Sequence, residues 1–81
     1  MKINRLAAMA YITVGILLIA KARCRAELQS HAANLRANLD QLQELHVIDG
    51  DERDAFEAEV SRAVQTRCME LLPDHLRRGA A

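Results

Sequence analysis

Leu6–Ala20, LAAMAYITVGILLIA, carries no charge along its whole length and is closed by Arg5 on one side and Lys21 on the other. A helix at a protein surface shows one apolar stripe and one polar face. A helix that is apolar all round needs burial in lipid, in a partner or inside an assembly. The segment therefore fixes the environment this chain requires, and it names no reaction.

Three fates compete for residues 1–22. A spanning helix usually takes about 20 apolar residues, and this run covers roughly 22 Å at 1.5 Å per residue. Arg5 and Lys21 can snorkel outward and lengthen the effective span. A cleaved secretory signal has the same outline: a basic start, an apolar centre, and Ala20-Lys21-Ala22 in the A-x-A position. Lys21, Arg23 and Arg25 are unfavourable around such a processing site. In the third case a water-soluble oligomer buries the run between subunits. The first reading is adopted, with Leu6, Ala8, Ile12, Val14, Gly15, Ile16, Leu17, Leu18 and Ile19 as the membrane-anchor or buried oligomer face. Within it Ala8, Gly15 and Ala22 recur every seven residues, with Ile12 and Ile19 on the same stripe, a spacing that lets two helix backbones approach closely.

An 81-residue chain is one small unit, and such chains seldom stabilise a core without metal, disulfides, oligomerisation or a membrane. Composition points to an all-α fold, rich in Ala, Leu, Arg, Glu and Gln, with Gly only at 15, 50 and 79 and Pro only at 73. The net charge is zero, but Lys2, Arg5, Lys21, Arg23 and Arg25 stand in the first 25 residues without a single acid. Every Asp and Glu lies beyond, from Glu27 to Asp74.

Nothing between Lys21 and Glu44 breaks a helix, so the apolar helix is expected to run straight on as one rod. Leu28, Ala32, Leu35, Leu39 and Leu42 step by four and three and form a seam. Asp49-Gly50-Asp51 interrupts the pattern within a turn near 47–51, where Gly50 offers a permissive backbone. Asp49 and Glu52 have capping-box spacing for the next helix. That helix carries Phe56, Val60, Ala63, Val64 and Leu71 toward the leucine seam and ends before Pro73. Residues 23–72 are thus read as an antiparallel helical hairpin and 73–81 as a short tail.

Sequence patterns offer little for catalysis. Cys24 and Cys68 form no CxxC motif, and no His has zinc-finger spacing. In a hairpin centred near Gly50 the two cysteines are axially offset by roughly 10 Å, too far for a disulfide. His31 and His46 lie outside any Glu-x-x-His arrangement. A catalytic triad, a phosphate loop and a dinucleotide fingerprint are missing. With Tyr11 and Phe56 the only aromatics, base stacking and aromatic ligand cages have little to work with. No cofactor, metal, nucleic acid or small-molecule substrate is therefore expected.

The expectation is a small non-enzymatic protein, anchored in a bacterial or phage-encoded inner membrane, that serves as an assembly subunit through self-association or a protein partner. One alternative is a cytoplasmic helical inhibitor or adaptor that buries residues 6–20 in a dimer or target. Another resembles, in architecture only, phage lysis proteins of the inner-membrane spanin type.

Overall fold

The computed structural model describes residues 4–79; Lys2 and the terminal Ala80 and Ala81, which figured in the charge balance and in the expected tail, lie outside them. Four helices follow one another: α1 (Arg5–Ala20), α2 (Arg25–Glu44), α3 (Gly50–Glu70) and the short α4 (Asp74–Gly79). The first three pack against one another, each touching the other two. The described residues contain no strand.

The continuous rod expected from Leu6 to Glu44 is broken. Helix α1 stops at Ala20, and the Lys21 N–H shares the carbonyls of Leu17 and Leu18 at 3.0 and 3.3 Å. The Ala22 N–H reaches Ile19 at 3.2 Å, and the chain then extends at Cys24, the N-cap of α2 (φ −154°, ψ 168°). No Gly or Pro causes this, so tertiary packing overrides local preference. Folding α1 back buries Ala8, Ile12, Ile19 and Ala22. Each isoleucine alone is worth about 1.5–3 kcal/mol on burial. A helical hydrogen bond forgone at the corner costs about 1 kcal/mol net, and most of the groups there find other partners. One of these partners is Arg67, whose Nε donates to the Ala22 carbonyl at 2.7 Å.

The seam of α2 lies in the core, with Leu28, Ala32, Leu35, Leu39 and Leu42 all buried. From α3 only Val60 is fully buried, while Phe56, Ala63, Val64, Cys68 and Leu71 are half-buried against the same cluster. Ile48, from the turn, completes it.

Polar contacts tie α2 to α3 in a regular order. Arg53 Nη2 meets Asp40 Oδ1 at 2.6 Å, Arg36 Nε donates to Glu57 Oε1 at 2.9 Å, and Arg36 Nη2 reaches Ser61 Oγ at 3.5 Å. The partners descend along α2 as they ascend along α3.

The turn differs from its sequence reading in one respect. Gly50 is the first residue of α3 and does not have positive φ. The left-handed residue is His46, at φ 59°. It closes α2 in a Schellman motif: the Val47 N–H returns to the Leu42 carbonyl at 2.9 Å and the His46 N–H to Gln43 at 3.0 Å. Helix α3 then opens on a complete capping box. Asp49 Oδ1 accepts from the Glu52 N–H at 2.8 Å, and Glu52 Oε1 accepts from the Asp49 N–H at 3.2 Å. Leu71 caps the far end, and Pro73 stands before α4, its carbonyl accepting from Leu76 at 2.9 Å.

Candidate interaction surface

Helix α1 has two apolar faces and only one of them is covered. The residues singled out in Leu6–Ile19 divide accordingly. Ala8, Ile12 and Ile19 point into the bundle, and Gly15 and Ile16 are half-buried at its edge. Leu6, Val14, Leu17 and Leu18 face outward and remain 82, 54, 51 and 46% exposed. Tyr11, 66% exposed, belongs to this outer face, although it was absent from the sequence-derived set. Of the stripe Ala8, Ile12, Gly15, Ile19 and Ala22, all but the half-buried Gly15 are buried within the one chain. Gly15 lies against Leu35 of α2.

Outer-face residues follow from helical spacing. Ala7, Ala10, Tyr11, Val14, Leu17 and Leu18 stand at −7, −4, −3, 0, +3 and +4 about Val14, so they share one side of α1. No charge interrupts them. The Thr13 hydroxyl donates to the Met9 carbonyl at 3.0 Å, which satisfies it within the helix. The first half of the face mixes the small Ala7 and Ala10 with the large Leu6 and Tyr11, and the second half carries Leu17 and Leu18. Beside it runs a shallow groove of about 510 Å³ between α1 and α2, floored by Ala7, Ala10 and Gly15 and edged by His31, Asn34 and Leu35.

Electrostatics frame this surface without entering it. At the start of α1, Arg5 forms an ion pair with Glu52 of α3, and its Nη1 also donates to the Val47 carbonyl at 3.3 Å. The Arg5 hydrogen bond and the Asp49 amide lower the Glu52 pKa from its ordinary value, and Glu52 in turn raises that of Arg5. Asn4 caps α1, its Oδ1 accepting from the Ala7 N–H at 2.7 Å. His31 stands 3.9 Å from Glu27 on α2, a one-turn pair at the groove margin.

A second concavity opens at the other end of the bundle. It measures about 500 Å³ and is lined by Arg23, Cys24 and Arg25 from the α1–α2 corner and by Cys68, Met69 and Leu72 from the end of α3. Both cysteines of the chain line this concavity. Both are free, Cys24 exposed and Cys68 half-buried.

Among the described residues no three His, Cys, Asp or Glu side chains group as metal ligands, and no helix is long and apolar enough to cross a membrane. No family model matches the chain, and no characterised protein or solved structure is similar to it.

Proposed function

We propose that the chain is a non-enzymatic assembly subunit that pairs with a second copy through the outer face of α1, carried on an antiparallel hairpin of α2 and α3. The observation behind this reading is the uncharged, exposed row of Leu6, Tyr11, Val14, Leu17 and Leu18 on a helix whose inner face is already used. The row is self-complementary. About a two-fold axis at Val14, antiparallel copies of α1 place Leu18 of one over Ala10 of the other, and Leu17 opposite Tyr11. At each end of this isologous contact Leu18 meets the small Ala10, while at its centre Leu17 packs on Tyr11 and Val14 on its own mate.

A second reading keeps α1 as a membrane anchor. It draws on the same uncharged run between Arg5 and Lys21, and it requires α1 to leave the bundle and expose Ile12, Ile19, Leu35 and Leu39 to other partners.

Sedimentation equilibrium in detergent-free buffer distinguishes the two. Wild type is expected to show a concentration-dependent dimer, and Leu18→Glu a monomer whose thermal melt matches that of wild type diluted into its monomer range, since Leu18 lies outside the buried core. A wild type that is monomeric at all concentrations sinks the dimer. Co-flotation of that monomer with anionic vesicles would then support the anchor.

A further inference from the structure

The cleft at the α1–α2 corner is independent of the α1 face. Asn4 and Asp49 cap α1 and α3 with side-chain hydrogen bonds of 2.7 and 2.8 Å. Cys24 occupies the same position in α2 and its side chain makes no capping bond. Ser, Thr, Asp or Asn there would accept from the first-turn amides, so the thiol is not what helix stability selects. It stands exposed instead, on an extended residue between Arg23 and Arg25. Cys68, on α3, lines the same cleft. The preceding residue, Arg67, holds the corner to α3 through the Ala22 carbonyl at 2.7 Å. Two cysteines 44 positions apart in sequence therefore line one cleft, Cys24 exposed and Cys68 half-buried.

We propose that Cys24 and Cys68 are a thiol–disulfide exchange site for an anionic low-molecular-weight disulfide of the glutathione type. Arg23 and Arg25, which line the cleft on either side of Cys24, give it a basic flank that complements the carboxylates of such a molecule, with Arg23 also 3.6 Å from Glu27. The Cys24 thiolate attacks one sulfur of oxidised glutathione, forming a mixed disulfide and releasing one glutathione thiolate. The Cys68 thiolate then attacks the Cys24 sulfur, closing an intrachain disulfide and releasing the second glutathione. Both cysteine protons end on the two glutathiones, so the protein is oxidised by two electrons and the glutathione disulfide is reduced by two. The product ties the α1–α2 corner to the end of α3 and pins the open end of the bundle, which raises Tm.

The test uses the full reduced chain, oxidised glutathione as the probe, an alkylating quench, and intact and peptide mass spectrometry. Wild type is expected to lose two hydrogens and yield one peptide pair joined through Cys24 and Cys68, more quickly in native buffer than in urea. Cys68→Ser should stop at a single glutathione on Cys24. In Cys24→Ser, Cys68 should react slowly; serine is a favoured N-cap, so this variant retains the fold. A wild type that accumulates two glutathiones, that links two chains, or that closes no faster folded than unfolded overturns the proposal. So does a Cys68→Ser variant in which Cys24 stays unmodified.

Discussion

Gly15 of α1 lies directly against the side chain of Leu35 on α2. A Cβ built on Gly15 lies 2.8 Å from Leu35 Cδ1, 3.0 Å from Cδ2 and 3.3 Å from Cγ. Leu35 is buried, and its methyl groups must shift for any side chain at position 15 to fit. Two effects oppose each other in Gly15→Ala. Alanine gains about 1 kcal/mol of helix propensity, while overpacking a core typically costs about 1–3 kcal/mol. The steric term should win, and Tm should fall. The sharper measurement is coupling: Leu35→Ala should cost less in the Gly15→Ala background than in wild type, because the methyl partly fills the vacated space. Equal costs in both backgrounds would mean that the helices do not meet there.

His46 invites the opposite change. A side chain at φ 59° is strained, and the residue is solvent-exposed at the end of α2. His46→Gly removes that strain and keeps both returning hydrogen bonds of the Schellman motif. A gain of about 0.5–1 kcal/mol is expected in urea denaturation, after the added unfolded-state entropy of glycine is subtracted. His46→Val, branched at Cβ, should lose stability. A neutral result for both would move the left-handed residue elsewhere in the turn.

The leucine seam is tested by contrast. Leu39 is fully buried, and Leu39→Ala should cost about 2–5 kcal/mol, a large share of the stability of a bundle this small. Gln41, two residues on and exposed, should tolerate alanine within about 0.5 kcal/mol. Coincident melts for the two variants would show that α2 presents another face to its neighbours.

Helical class, the seam of α2 and the start of α3 were legible because each has a local signature. Leucines every three or four residues define a face, and Asp49 with Glu52 spells a cap. The path of the chain at 21–24 was not legible. Lys21-Ala22-Arg23-Cys24 has no breaker, and its corner exists only because Ile12 and Ile19 find a core to enter. Once that corner is unseen, the covered and open faces of an all-apolar helix cannot be told apart, and the cleft that Cys24 and Cys68 both line is lost too. The turn shows the same limit in miniature. Gly50 looked like the permissive residue, yet the capping box draws it into α3 and leaves His46 to carry the positive φ.

Arg5 and Glu52 connect the first turn of α1 to the first turn of α3, and acid should loosen that connection. The Glu52 pKa is lowered in the folded chain, chiefly by the hydrogen bond from Arg5, from an ordinary value of 4.5. A carboxylate whose folded pKa is depressed contributes stability that is fully present above its unfolded value. That contribution is lost as pH falls through the folded one. Arg5→Ala removes the main cause of the shift while leaving Asp49 and Glu52 to cap α3. Between neutral pH and about pH 5 the variant should therefore melt below wild type by a constant margin, and the two curves should converge at lower pH. Both side chains are solvent-accessible, so the margin should also shrink in 1 M salt, where the screening length falls to about 3 Å. Melting curves for both proteins across pH 2–7, at low and high salt, check the sign. A margin that persists undiminished at pH 2 would assign the role of Arg5 to its hydrogen bond with the Val47 carbonyl, which does not titrate.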